Sequence, residues 1–404
     1  MGGRLKNHIN IQNPQDDNCC GCSACAQSCP KHCISMVENK EGFLYPNVDE
    51  DNCIDCGICS NSCSWLKNGL KQRGFNPQVY AVKNKNDEVR LRSTSGGMFS
   101  ALAEYVFSKH GIVYGASFVP EHKRVQYIGV DSEKELYRMR GSKYVQCYVG
   151  DTFCKIKRYL REGRIVLFTG TPCHCSALME FLKKAYDNLF VVDILCHSVP
   201  SPRVFCDFLK KNEKKLSEPI KDIAFRDKTR GWRESYHCVI SGQSHSIEDQ
   251  TFLTLFFKGL INRPSCYNCR YTSIIRPTDL TMGDYWNINT VDSAFEDELG
   301  VSCVVVNNTR GRVLFDRIKG RLDVLETPIA PAVQDCMRLK TGEPMGRSRF
   351  WEDYSKYGYD YCEHKYGVTT RLQILRYKLG TSLSRFYLFR YLKRKIVKLV
   401  NVRK

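Results

Sequence analysis

The segment CCGCSACAQSCP, Cys19 to Pro30, returns 34 residues later as CIDCGICSNSCS, Cys53 to Ser64. Both runs space four cysteines as C-x2-C-x2-C-x3-C: Cys19, Cys22, Cys25 and Cys29, then Cys53, Cys56, Cys59 and Cys63. Three thiolates this close wrap a tight loop around neighbouring irons, and soft sulfur donors suit iron–sulfur chemistry. In paired runs of this kind the fourth cysteine of each ligates the other cluster. Cluster one is therefore expected on Cys19, Cys22, Cys25 and Cys63, and cluster two on Cys53, Cys56, Cys59 and Cys29. Cys20 and Cys33 fall outside the spacing and read as packing residues. The rival reading is a pair of zinc sites, but a zinc ribbon needs only two CxxC pairs, fewer than are present.

Outward from these runs, composition narrows the class. The chain has 404 residues, 42% hydrophobic and 26% charged, enough for two or three domains with ordinary cores. Ten of its 22 cysteines lie between Cys19 and Cys63. The start, MGGRLKNHINIQ, has no apolar signal core, and no run of 18 apolar residues exists. The expectation is a cytoplasmic protein with reduced thiols, in which dense cysteine spacing binds metal. The net charge of +18 is uneven, because no acidic residue follows Glu363 while Lys365–Lys404 holds twelve Lys or Arg. A body that binds nucleic acid over a broad basic surface is thereby disfavoured, and no nucleic-acid partner is expected.

Periodicity divides the rest. Lys67–Pro77 is polar with Gly, Asn and Pro, and reads as a linker. Strands are expected at Val79–Lys83, Ile112–Phe118 and Val301–Val306, and helices from Ser95-Gly96-Gly97 onward and over Phe153–Arg161. Arg164–Phe168 and Leu189–Leu195 are continuous apolar runs flanking a helix expected from about Ser176 to Tyr186, which predicts adjacent parallel strands buried on both faces. The predicted fold class is α+β followed by α/β. A bacterial ferredoxin-like module spans 1–72, a mixed-sheet body 78–345 (parts of about 78–170 and 171–345), and a basic helical tail 346–404. On a helix, Leu388, Phe389, Leu392, Ile396, Leu399 and Val400 share one face of that tail, and Arg390, Lys393, Arg394 and Lys398 another. Such a helix suits an anionic membrane surface, which would put the protein peripherally at the inner membrane face; a helix docked on its own body is the alternative.

Further motifs are Ser93-Thr94-Ser95-Gly96-Gly97, Arg140-Gly141-Ser142-Lys143-Tyr144, Thr169-Gly170-Thr171-Pro172-Cys173 and Cys196-His197-Ser198-Val199-Pro200-Ser201-Pro202. Phe225-Arg226-Asp227, Cys266-x2-Cys269 and Arg276-x2-Asp279-Leu280-Thr281-x-Gly283-Asp284-Tyr285-Trp286 follow. In this order, from about Tyr80 to Cys336, they resemble the coenzyme F420 hydrogenase/dehydrogenase beta-subunit family. The resemblance implies an iron–sulfur flavoprotein that passes electrons between bound FAD and [4Fe–4S] clusters. It also implies substrate- or cofactor-facing positions for Asp284, Trp286, Arg226 and Asp227, which alone would read as a turn and a solvated pair.

Residue chemistry points the same way. Ser95, Gly96 and Gly97 at a helix start offer backbone N–H groups to a phosphate, although a plain Ser cap followed by glycine fits as well. Lys143 and Tyr144 are candidates for flavin phosphate and ring, with a surface Lys beside a core Tyr as the equal alternative. Thr169, Gly170, Thr171 and Pro172 leave one parallel strand, and Cys196 and His197 leave the next, at the carboxyl ends where open α/β sheets bind ligands. Cys173 and Cys196 should then lie side by side, and with Cys266 and Cys269 they are candidates for a third [4Fe–4S] cluster; buried cysteines plus a small zinc or redox CxxC are the alternative. Cys175 is a reserve ligand. His174 and His197 are candidate proton carriers, a histidine that satisfies a loop hydrogen bond being the commoner alternative. The expected function is a reductase or dehydrogenase linking ferredoxin or another redox protein to a small-molecule acceptor or donor, coenzyme F420 among them. A non-catalytic electron-transfer subunit of a larger redox complex, and a zinc-binding nucleic-acid protein, are the rivals.

Overall fold

The computed structural model describes residues 18–67 and 75–367. The amphipathic tail face from Leu388 to Val400 and most of the expected linker lie outside the described residues. Among the described residues no helix is long and apolar enough to cross a membrane.

The first module follows from the duplication. Short helices Ala24–Ser28 and Ile58–Asn61 sit 34 positions apart, each starting just before the third cysteine of its run. They pack together beside an antiparallel hairpin of β1 (Ile34–Glu38) and β2 (Leu44–Val48).

The body is built on one eight-stranded mixed sheet. Its strands are β3 (Gln78–Asn84), β4 (Ile112–Val119), β5 (Arg124–Val130), β6 (Val166–Gly170) and β7 (Leu189–Ile194), together with β11 (Leu280–Asp284), β12 (Ser302–Val306) and β13 (Leu322–Thr327). Strands β8 (Asp222–Ala224), β9 (Cys238–Ser241) and β10 (Ser246–Asp249) form a separate small antiparallel sheet. The large sheet runs β13-β3-β12-β11-β7-β6-β4-β5. The two apolar runs do pair in parallel, Val166 opposite Leu189 and Gly170 opposite Asp193. β4 and β11 extend this parallel centre on either side, while β12 is antiparallel to both its neighbours.

Alternation along these strands sends side chains to two cores. Ile112, Tyr114, Val166 and Phe168 face one core with Phe205 and Phe208 of helix Pro202–Leu216. Val113, Leu167 and Val192 face the other, with helices Met98–Phe107 and Thr309–Ile318. Coverage on both faces explains why β6 is buried at every residue.

Two details differ from the sequence pattern. The helix expected from about Ser176 runs Pro172–Leu182, because Pro172 at its first position already has the helical φ and Lys183 ends it in a left-handed conformation. The segment assigned to the start of the tail is partly core: helix Arg347–Cys362 buries Phe350, Trp351, Tyr354, Tyr359 and Cys362 in the cluster that contains Phe205.

Gly96 is where the chain crosses the sheet edge. A Cβ there would lie 2.3 Å from the Val82 carbonyl oxygen and 2.6 Å from the Ser302 nitrogen. Gly96→Ala should therefore destabilise the protein by about 1–3 kcal/mol, measured by urea unfolding of the anaerobic protein.

Candidate functional site

The directions of β4, β6, β7 and β11 bring their carboxyl ends to one sheet edge, and the antiparallel β12 brings its first residue, Ser302, to the same edge opposite Asp284. Two adjoining cavities open there.

The smaller, of about 80 Å³, is walled by Cys173, Cys196, Cys266 and Cys269, with Cys20, Trp65, Arg263, Arg276 and Cys336 among its other residues. Cys173 comes from the first turn of the helix after β6, and Cys196 lies two residues beyond β7. Cys266 is on the short helix Pro264–Tyr267, with Cys269 just after it. Burial, with the neighbouring Cys173 thiol adding to it, pushes the Cys266 thiol up to about 12. Cys196 is raised by burial and then by Cys266. Cys173 is raised first by its contact with Cys20 and then by burial. Thiols set this way resist holding four negative charges alone, so the donor set fits a cation-rich cluster that neutralises them.

The N-terminal module repeats this chemistry. Burial, followed by the nearby Cys19 and Cys63 thiols, holds Cys25 well above its ordinary value, and Cys22 lies within reach of Cys19 and Cys25. Cys29, Cys53, Cys56 and Cys59 share a second small cavity of about 20 Å³ with Cys33. Cys33 Sγ is 3.4 Å from Cys29 Sγ. Both sets contain the cysteines that the interleaved spacing assigns together.

Cys20 and Cys33, which carry no spacing signal, thus lie against thiol sets. Cys33 is placed within its own module beside Cys29, whereas Cys20 faces the body because Arg263 and Gln146, from distant segments, clamp its loop. Arg263 is fully buried and donates from Nε to the Cys19 carbonyl (2.7 Å), from Nη1 to Gln146 Oε1 (2.7 Å) and from Nη2 to the Leu44 carbonyl (2.9 Å). Gln146 Nε2 donates to the Cys20 carbonyl at 3.2 Å. Gly21 fits between them at φ 66°, where a Cβ would lie 2.5 Å from Gln146 Nε2.

The larger cavity, of about 240 Å³, lies over the same sheet edge. Of the sequence candidates, Ser95, Gly97, Lys143, Tyr144, Thr169, Gly170, Thr171, His197 and Asp284 line it. Gly96, Pro172 and His174 are not in this wall. Gly96 donates its N–H to Ser302 Oγ at 2.8 Å, and Ser95 Oγ donates to the Val301 carbonyl at 2.7 Å, so both fasten the loop to β12. Pro172 and His174 line the thiol cavity instead. His174 sits with Nδ1 3.1 Å from the Tyr127 hydroxyl, and burial pushes it down to about 4, leaving it neutral near pH 7.

Part of this cavity's wall is cationic. Helix Met98–Phe107 starts there with Gly97 at φ 87° and no side-chain cap, so its first N–H groups face the wall formed by Gly97, Met98 and Phe99. Arg140 and Lys143 line the same cavity. Lys143 Nζ donates to the Arg140 carbonyl (2.5 Å) and the Gly141 carbonyl (3.2 Å), and burial pushes it down to about 8. The wall also carries aromatic residues: Tyr144, Tyr236, Phe256 and Trp286. Trp286 stacks on Trp232 with centroids 4.7 Å apart. The Arg226 guanidinium lies 4.3 Å from the Tyr236 centroid. Both Asp284 oxygens are engaged, one with Arg226 Nη1 (2.6 Å), the other with Trp232 Nε1 (2.7 Å). Asp227, next to Arg226, turns away to Thr229 and His237.

Thr171, Cys196, His197, Ser198 and Val199 line both cavities, so one thin wall separates them.

Family models match the chain in three consecutive parts: a 4Fe-4S dicluster domain at residues 18–65, the N-terminal domain of the coenzyme F420 hydrogenase/dehydrogenase beta subunit at 79–152, and its C-terminal domain at 163–331. The chain belongs to this beta-subunit family. It is an iron–sulfur member, with the dicluster domain covering both cysteine runs. No curated protein matches it. Among solved structures, a chain of the F420-reducing [NiFe] hydrogenase complex from Methanosarcina barkeri, in a xenon derivative, is similar over 73% of this chain and 94% of its own, at 13% identity and a TM-score of 0.43. That likeness is too distant to bear on chemistry.

The Arg226 side chain is 1% exposed, so its charge depends on Asp284. Asp284→Asn should cost about 3–5 kcal/mol of stability by stranding that charge. It should also disturb the Trp232–Trp286 stack, read as a change in near-ultraviolet circular dichroism alongside urea unfolding.

Proposed function

We propose that this beta-subunit family member is an oxidoreductase that moves electrons between [4Fe–4S] clusters and FAD and exchanges them with a small-molecule acceptor or donor. The observation that carries this reading is the wall shared by the two cavities, in which Cys196 belongs to the thiol set and also lines the larger cavity. Clusters are assigned to Cys19, Cys22, Cys25 and Cys63; to Cys29, Cys53, Cys56 and Cys59; and, in the body, to Cys173, Cys196, Cys266 and Cys269. When bound, FAD supplies the conversion between one-electron and hydride chemistry.

The lining of the larger cavity suits such a group in two ways. Gly97, Met98 and Phe99 offer the helix start, and Arg140 and Lys143 the cations, to its phosphates. Tyr144, Tyr236 and Trp286 present planar faces to rings. His197, at the shared wall, is assigned to hold the proton exchanged with substrate. His174, neutral and bonded to Tyr127, supports the thiol wall from behind. Asp284 fixes Arg226 and the tryptophan pair. The family's name makes coenzyme F420 the first acceptor or donor to test, and ferredoxin or a similar protein the first partner. The site of action is the cytoplasm, with the basic tail as the segment to test for membrane attachment.

A second reading, a non-catalytic electron-transfer subunit, draws on the exposed Cys56 and Ile54 beside the second thiol set, where electrons could pass to a larger complex. Protein purified without oxygen decides between them. The enzyme reading expects flavin bands over broad cluster absorption and about twelve irons per chain. About eight irons would remove the body cluster, cluster absorption without flavin would favour the carrier, and a colourless zinc protein would overturn both.

Lys143 gives a pH test. Its ammonium is the form that holds a phosphate, so flavin affinity should fall as pH rises through about 8. Lys143→Met should weaken flavin binding about tenfold at neutral pH, by loss of a charge-assisted hydrogen bond, and flatten that dependence. Fluorescence titration of the flavin-stripped protein measures both.

A further inference from the structure

Trp65 belongs to the N-terminal module, two residues after Cys63, yet its side chain lines the thiol cavity of the body. It is 6% exposed, and its Nε1 is fully enclosed with no acceptor among the described residues. Buried indole N–H groups are ordinarily hydrogen-bonded, because an unmade bond forfeits the water the donor has lost. The ring is not loose: the Arg270 guanidinium lies 4.6 Å from its centroid and Arg270 Nη1 donates to the Trp65 carbonyl. Two other donors in the same wall are committed elsewhere. Arg263 is spent on Cys19, Leu44 and Gln146, and the Tyr271 hydroxyl donates to Ser64 Oγ at 3.3 Å. Acceptor chemistry in this cavity is dominated by sulfur, since Cys20, Cys173, Cys196, Cys266, Cys269 and Cys336 all face it.

We propose that the Trp65 indole N–H is a hydrogen-bond donor to the cluster held by Cys173, Cys196, Cys266 and Cys269, and so a residue of the first module that sets the potential of the cluster in the body. This rests on the assignment of that cavity given above. A donor to cluster sulfur stabilises the more negative, reduced state and raises the potential. Trp65 is a positioning and tuning residue, not one that touches substrate.

Trp65→Phe keeps an aromatic face for Arg270 and removes the donor together with the second ring of the indole. The full-length protein is purified without oxygen, its irons are counted, and cluster potentials are followed by electron paramagnetic resonance in a redox titration. The body cluster is identified by the signal that Cys266→Ala removes. The expected result is an unchanged iron content, a lower potential for the body cluster, and unchanged potentials for the other two. Three unmoved potentials with about twelve irons per chain would overturn the donor role alone. About eight irons in the wild type would instead remove the body cluster, and the donor's target with it. Should Trp65→Phe not fold, wild type carrying 15N-indole tryptophan tests the same bond by electron–nuclear double resonance. Coupling from a tryptophan nitrogen to the reduced body cluster supports the proposal, and its absence overturns it.

Discussion

Arg263 has no contact with water, and each nitrogen of its guanidinium has an acceptor drawn from a different part of the chain: Cys19 in the first cysteine run, Leu44 in the hairpin, Gln146 in the body. Burying such a charge costs several kcal/mol, which is tolerable only when every donor is satisfied. The same arrangement therefore works as a ruler. A planar fork with three fixed acceptors leaves the Cys19–Gly21 loop little freedom to slide against the body. The buried Glu41–Arg347 pair, the bond that the Phe153 amide N–H donates to Gln27 Oε1 (2.9 Å), and Lys67 with Glu180 (2.6 Å) extend that contact around the module. Electron transfer falls steeply with distance, so a rigid seat for the first module matters more than it would for a binding domain.

What is legible in the sequence is what is local. The two cysteine runs declare their chemistry because a cluster takes three ligands from one loop, and the interleaved fourth ligand follows from the duplication. The β6 and β7 runs are legible because a strand covered on both faces needs no polar alternation, and a single helix between two such runs leaves a parallel pairing. From there the approach of Cys173 to Cys196 is simple geometry. The antiparallel placement of β12 between β3 and β11 is not legible, since VSCVVV reads as a buried strand in either direction. Helix Arg347–Cys362 is hidden for a related reason: a sequence that turns basic soon afterwards gives no sign that Phe350 and Trp351 belong to the core.

Ser95-Gly96-Gly97 shows where local reading divides. Three small residues at a helix start suit an anion, and they equally suit a chain that must pass close to a neighbouring strand. Gly97 keeps the first character, at the head of an uncapped helix facing the large cavity. Gly96 has the second, pressed against Val82 and Ser302. Nothing in the triplet separates the two, because they are decided by neighbouring strands, one of which, at Ser302, lies 206 residues along the chain. Arg226 and Asp284 are similar: each reads as an ordinary charged residue until the fold brings them within 2.6 Å beneath an aromatic wall.

Cys20 and Trp65 have one more implication. Both come from the segment before residue 68, yet both form part of a wall around a cavity otherwise built from residues beyond 170. The cysteine-rich segment is thus no interchangeable plug. Replacing it with a foreign module of the same spacing would preserve its own thiols and still breach the neighbouring chamber, letting more water reach its half-buried thiols. The cysteine-rich segment and the body are, in that sense, two parts of one vessel.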